Sequence, residues 1–248
     1  MGSIQAFPRK APPNTLADVW RAAAAASGVV RVREARLEDF AALRGLQRQF
    51  APYLPPLTLR RLETRRHVFA PGQLVAVSDG QLVGAASSLV VPWADGGAVP
   101  TWKGLTGEGS FMTHDPNAST LYGAEILADD SRRGSSVARV LLQACRRTCR
   151  KLNLRRVVTT ERLTGYGDAD PSTTPARYAM RIVWGDIADP AMGLRMSMGF
   201  QFCGVLPGFL PEDRASLGNA ALLAWLNPLY APPGPPAFEQ SERVRKYA

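Results

Sequence analysis

Glu125-Ile-Leu-Ala-Asp-Asp-Ser-Arg-Arg-Gly-Ser-Ser-Val-Ala-Arg-Val-Leu-Leu142 decides how this chain folds. The stretch reads as an apolar strand over Leu121 to Ala128, a polar turn over Asp129 to Ser135, and a helix over Ser136 to Leu152. In that helix Val137, Val140, Leu141, Ala144 and Cys145 recur at helical spacing and mark one apolar face. A turn feeding a helix start leaves the first four N–H groups without intrahelical partners. The helix dipole adds about half a positive charge there. Gly134, Ser135, Ser136 and Ala138 are small enough for a phosphate to approach the backbone, and Arg132 and Arg133 add charge. The segment therefore has the physical features of a pyrophosphate cradle. Neither the Gly-x-x-x-x-Gly-Lys nor the Gly-x-Gly-x-x-Gly spacing is present. On spacing alone, an ordinary helix start after a strand reads the same way and is the commoner case.

Upstream, Val29 to Val32 is a short strand candidate, and Phe40, Leu43, Leu46 and Phe50 give helical spacing over Leu37 to Phe50. A second helix is expected around Leu57 to Arg65. Gln73–Val77 and Leu82–Val91 flank Ser78-Asp79-Gly80-Gln81, and Asp-Gly between apolar runs signals a hairpin. Residues 92–117 are rich in Pro, Gly, Asp and Asn and read as a long loop, a class that often serves function. Downstream come a strand over Arg155 to Thr160, a loop to Thr174, a helix over Pro175 to Trp184, and a helix opened by Asp189-Pro190 and running to Met198. Phe200 to Val205 and Ala220 to Trp225 are the last two strands. The order predicts a mixed α/β domain with an antiparallel hairpin start and a central β-α-β crossover. Three regions are expected: an N-terminal extension over 1–28, one domain over 29–227, and a Pro-rich tail over 228–248 carrying Pro228, Pro232, Pro233, Pro235 and Pro236.

Composition narrows the function. Hydrophobic residues make up 46% and charged residues 21%, an ordinary globular balance. No apolar run approaches the roughly 18 residues of a membrane helix, and no signal-peptide pattern opens the chain. A soluble, cytoplasmic protein is expected, with no membrane partner. Cys145, Cys149 and Cys203 are too few and too odd in number for a disulfide framework, and with His67 and His114 they form no metal-ligand spacing, so no metal is expected. The net charge is +9, and 26 of the 30 basic residues are arginine, four being lysine (30 − 4 = 26). Arginine binds phosphate in a bidentate fashion. A solvated arginine surface is the plainer account of most of them. The run Arg146, Arg147, Arg150, Lys151, Arg155 and Arg156 has no interleaved aromatics, which disfavours a nucleic-acid platform.

Arg133-Gly-Ser-Ser-Val-Ala138, followed by Val140-Leu-Leu142, resembles the Gln/Arg-x-x-Gly-x-Gly/Ala acyl-CoA motif of the GNAT N-acetyltransferases, with Ser136 in a glycine position. Gly193-Leu-Arg-Met-Ser-Met-Gly-Phe200 is similar to the later GNAT motif. The stretch from Arg162 through Gly165-Tyr166, Tyr178, Gly185 and Asp189-Pro190 to Gly208–Asp213 and Trp225–Pro228 resembles the GNAT branch found joined to carbon–nitrogen hydrolases, though no hydrolase fits in this chain. The resemblance covers about Val29 to Pro228. It implies a mixed, largely antiparallel sheet of six or seven strands with helices on both faces. It implies acetyl-CoA or another acyl-CoA in a cleft where two parallel strands splay. Ile126, Leu127 and Ala128 would offer backbone to the pantetheine arm, and Arg132, Arg133, Gly134, Ser135, Ser136, Val137 and Ala138 would hold the pyrophosphate. A small-molecule or protein amine would attack the thioester, in a monomer or a homodimer. The alternative is a GNAT-fold module that binds acyl-CoA or a partner without catalysis. The tyrosine that many relatives use as acid, four residues before the motif glycine, is Arg195 here.

Three residues are candidates for proton transfer. Glu125, on the strand leading into the turn, is the first choice for general base, and Glu161 the second. A strand-end carboxylate paired with arginine is the plainer reading of each. By strand alternation Glu125 shares a face with Leu127, and if that face is covered by helices the role passes to Glu161. Tyr166 is either a substrate wall or acid of the cleft, or a packed turn tyrosine. Trp184 and Trp225 read as core or interface anchors.

Overall fold

A computed structural model describes residues 29–128 and 136–232. Seven strands form one sheet: β1 (Arg31–Glu34), β2 (Gln73–Ser78), β3 (Gln81–Val91), β4 (Thr120–Ala128), β5 (Arg156–Arg162), β6 (Gln201–Leu206) and β7 (Ala220–Leu226). Their spatial order is β1-β2-β3-β4-β5-β7-β6. Only the β4–β5 pair is parallel, and the other ladders are antiparallel. Among the described residues six α-helices accompany them: α1 (Phe40–Phe50), α2 (Leu59–Phe69), α3 (Trp102–Thr106), α4 (Ser136–Lys151), α5 (Pro175–Trp184) and α6 (Pro190–Ser197). This is the mixed, largely antiparallel α/β sheet that the GNAT resemblance implies. The turn at 129–135, the N-terminal extension over 1–28 and the tail beyond 232 lie outside the described residues.

Local chemistry sets the boundaries. Asp79 and Gly80 both take positive φ, 51° and 76°, which closes a two-residue hairpin matched to strand twist. Thr58, Thr174 and Asp189 cap α2, α5 and α6 by accepting from the N–H of Arg61, Arg177 and Met192. Pro175 and Pro190 occupy first-turn positions, where proline loses no helical bond. β1 starts two residues later than its sequence signal. The 92–117 loop is not structureless, since it holds α3.

The sheet buries both faces. On one, α4 crosses β3 and β4 with Val137, Leu141, Leu142 and Cys145 buried against Leu121 and Val157. A fully buried leucine contributes about 1.5–3 kcal/mol, so Leu141 and Leu142 alone anchor this helix firmly. Helices α5 and α6 extend that layer with Tyr178, Ile182, Met192 and Leu194. On the other face, Leu43 and Leu46 of α1 and Leu62 of α2 cover Val75, Ala85, Leu89 and Tyr122. Trp225 is buried under this scheme, whereas Trp184 is 67% exposed and anchors no core. The basic run is not simply solvated either. Arg156 is buried against Thr120, Trp93 and Asp95, and Arg146 and Arg150 lie over the Trp225 ring.

Candidate active site

The site arises from two irregularities in β4. The first is the end of parallel pairing. β4 and β5 are in register from Thr120↔Arg156 to Gly123↔Thr159, and no further. Beyond that point Ala124–Ala128 and Thr160–Arg162 have no pairing with one another. The second is a bulge. Ser88 pairs with Gly123 and Ser87 with Glu125, so Ala124 has no partner on β3. Before the bulge Leu121 faces α4 and Tyr122 faces away; after it Ile126 faces α4 and Leu127 faces away. The inserted residue reverses the alternation and puts Ala124 and Glu125 on the same α1/α2 side.

Between the separated strands lies a cleft open to solvent. Its floor is Gly123–Leu127 on β4 and Thr160–Arg162 on β5. Ala51, Tyr53 and Leu54 from the α1–α2 connection, Trp102 of α3, Arg195 of α6 and Leu210 complete the walls. Trp102 enters through the 92–117 segment, its backbone N–H donating to Phe209 O at 2.9 Å.

The structure brings Glu125 and Glu161 into this one cleft but engages each with arginine. Glu125 Oε1 accepts from Arg65 Nη2 at 2.8 Å, and both side chains are nearly inaccessible, at 5% and 3% exposure. Arg65 also donates from Nε to Gly109 O at 2.8 Å and lies 4.2 Å above the Phe111 ring. Glu125 is thus the link between β4, α2 and the 107–113 segment. Glu161 faces the opposite side of the sheet, with Oε2 2.5 Å from Arg195 Nη1. Burial pushes its carboxyl above the usual glutamate range, and the Arg195 charge opposes that rise. Arg195 is buried, donates from Nη1 to Ala191 O at 3.1 Å, and leaves Nε without a partner. Arg162 is held in a fork by Asp213, Nε–Oδ2 2.9 Å and Nη2–Oδ1 2.5 Å, and lies 4.1 Å over the Tyr53 ring. Burial works against ionisation of Asp213, but hydrogen bonds from Arg162 and Ser216 outweigh it and hold the carboxyl low.

Tyr166 stands apart from the cleft. Its hydroxyl donates to Thr173 O at 3.0 Å and its ring packs edge-on to Tyr178 at 5.6 Å, the turn-tyrosine alternative. Ile126, Leu127 and Ala128 lie on the β4 stretch whose β5 side is unpaired, with Ile126 and Leu127 lining the cleft. Val137 and Ala138 are buried in the first turn of α4. Arg132, Arg133, Gly134 and Ser135 fall outside the described residues, as does the Ser136 side chain. Tyr53, Trp102, Arg162 and Asp213 are not among the site candidates read from the sequence. Arg162 and Asp213 enter there only through the GNAT-branch resemblance, and Trp102 only as part of the 92–117 loop.

No family model matches the chain. Among curated proteins it is 26% identical over 217 residues to the probable hydrolase YhcX of Bacillus subtilis, covering 88% of this chain and 41% of YhcX. It is 25% identical over 170 residues to the uncharacterized N-acetyltransferase YkwB of Bacillus subtilis, covering 68% of this chain and 75% of that one. The chain thus spans less than half the length of YhcX. Among solved structures, the GphF GNAT-like decarboxylase in complex with isobutyryl-CoA superposes with a TM-score of 0.66 at 22% identity, over 79% of this chain and 99% of that one.

Proposed function

With the GNAT fold as premise, we propose that this protein is an acyl-CoA-dependent N-acyltransferase, with acetyl-CoA the first donor to try, acting by direct attack of an amine on the thioester. The carrying observation is the end of β4–β5 pairing at Gly123↔Thr159. It leaves backbone groups on one edge of Glu125–Ala128 without a strand partner, the Ala124 carbonyl being taken by Trp102 Nε1, and such groups seek partners. An extended ligand with amide groups, such as a pantetheine arm, fits that edge. The same strand runs toward the N-terminus of α4, where Arg132, Arg133, Gly134, Ser135 and Ser136 would meet the diphosphate. The N-acetyltransferase name of YkwB and the isobutyryl-CoA bound to GphF support the reading.

Glu161 is the better base. Glu125 is enclosed by Arg65 on the helix-covered α1/α2 face, the condition under which the role passes on. Glu161 lines the cleft, and burial moves its carboxyl toward neutrality, where a general base works best. It would take the proton that the attacking amine loses. Tyr166, packed on Tyr178, has no part in this scheme. The acceptor, a small-molecule or protein amine, would enter between Tyr53–Leu54 and Trp102.

A second reading is a GNAT-fold module that binds acyl-CoA without transferring it. The ion pairs on both cleft carboxylates and the arginine at position 195 favour it. Calorimetry with acetyl-CoA and isobutyryl-CoA, followed by thiol release over an amine panel, separates the two. Absence of binding removes both, and binding without thiol release under any amine leaves the module. GphF is named a decarboxylase, so loss of CO₂ from malonyl-CoA without an amine is a further arm of that assay.

A further inference from the structure

We propose that Tyr53 supplies the proton taken up by the departing CoA thiolate. The inference rests on the acyltransferase reading and assigns the acid that Arg195 cannot be, since a guanidinium does not give up its proton at working pH. Among the described residues lining the cleft there is no histidine, cysteine or lysine. The lining carboxylates are engaged by arginines, and the Thr160 hydroxyl is bonded to Tyr122 Oη at 3.0 Å. Tyr53 is the one phenol among these residues, and its hydroxyl makes no hydrogen bond to any described residue. The Tyr122 and Tyr166 hydroxyls, by contrast, are occupied by Thr160 and by Thr173 O.

Tyr53 is also held in place. Its ring lies under the Arg162 guanidinium, which Asp213 fixes by two bonds, and Ser216 fixes Asp213 at 2.6 Å. On the chain side, Gln47 accepts from Leu57 N–H at 2.6 Å and donates to Pro55 O at 3.3 Å, closing the connection that carries Tyr53. Burial, then the Glu161 charge, pushes its ionisation up, so the phenol is protonated throughout the neutral range.

The step balances. The N–C bond forms as the C–S bond breaks, the sulfur keeps the bonding pair, and the proton moves from Tyr53 Oη to sulfur. The nitrogen proton collected by Glu161 or water then returns to the tyrosinate, which meanwhile sits beneath the Arg162 charge.

The test uses free CoA, so it needs no acceptor. The thiol of bound CoA is titrated by thiolate absorbance, with desulfo-CoA as the blank to cancel the protein's own tyrosines and cysteines. A hydroxyl donating to the thiolate lowers that pKa. In Tyr53→Phe, which keeps the ring under Arg162, the thiol pKa of bound CoA rises by about 1, tenfold in the ionisation constant, the scale of a hydrogen bond to a charged group. CoA affinity at pH 6 stays within about twofold, because the neutral thiol makes only a weak contact. An unchanged thiol pKa in Tyr53→Phe with CoA bound overturns the assignment alone. Failure of wild-type protein to bind CoA overturns the acyltransferase reading and this inference with it.

Discussion

The indole Nε1 of Trp102 donates to the carbonyl oxygen of Ala124 at 3.1 Å, and Ala124 is the residue that the β3–β4 ladder skips. A bulge leaves backbone groups of the extra residue unpaired, and a buried unpaired carbonyl is costly. A side chain 22 positions earlier in the chain answers that need, which fixes α3 against the cleft floor. Trp102→Phe keeps the aromatic volume and removes the donor. It should destabilise the protein by about 1–3 kcal/mol, the cost of one buried unsatisfied group. Urea unfolding measures it, and an unchanged midpoint would show that the bulge carbonyl finds another donor.

Arg65 and Glu125 form a pair with almost no solvent contact. Breaking such a pair by removing one member leaves an uncompensated buried charge, at about 3–5 kcal/mol. Arg65→Met should therefore be severely destabilised. The double variant Arg65→Met/Glu125→Leu, with neither charge, should recover most of that loss. Equal destabilisation of single and double variants in denaturant titrations would contradict the pairing.

Glu161 gives a signed pH dependence. Its folded-state carboxyl titrates above its unfolded value of about 4.3, so within that window the folded state binds more protons. Stability contributed by this group therefore falls as pH rises from the unfolded value through the raised one. Glu161→Gln removes the term, and the difference in urea midpoint between variant and wild type should grow across that window and then level off. If Glu161 is the base, the same variant loses about 10²–10⁴-fold in acyl-transfer rate at pH 7 and less near pH 9–10, where free amine is more abundant. Parallel pH–rate profiles for the two proteins would remove Glu161 from the mechanism.

Arg133 tests the turn before α4. Arg133→Glu sets a negative charge beside the expected diphosphate and should weaken acetyl-CoA binding by about 1–3 kcal/mol, the scale of a charge-assisted hydrogen bond. Calorimetry at fixed ionic strength reads this directly. Unchanged affinity would move the diphosphate away from that turn.

The strands, the five longer helices and their order are legible in the local sequence pattern, and α3 within 92–117 is not. Asp79-Gly80, the apolar face of Ser136–Lys151, Thr174-Pro175 and Asp189-Pro190 each encode local structure in neighbouring residues, so hairpin, helices and caps stand close to where the pattern puts them. The mixed α/β sheet follows from that order, and the GNAT resemblance rests on the motifs at Arg133–Ala138 and Gly193–Phe200. Tertiary structure alone decided what the cleft residues do. Arg65 and Glu125 are 60 positions apart, and Glu161 and Arg195 come from a strand and a helix separated by α5. A carboxylate's role depends on which cation shares its low-dielectric surroundings, and periodicity carries no information about that. The β4 bulge defeated simple alternation in the same way. One unpaired residue, Ala124, is invisible in a run of apolar strand formers, yet it sets the face on which Glu125 stands, because side-chain direction along a strand is counted from the last regular pair.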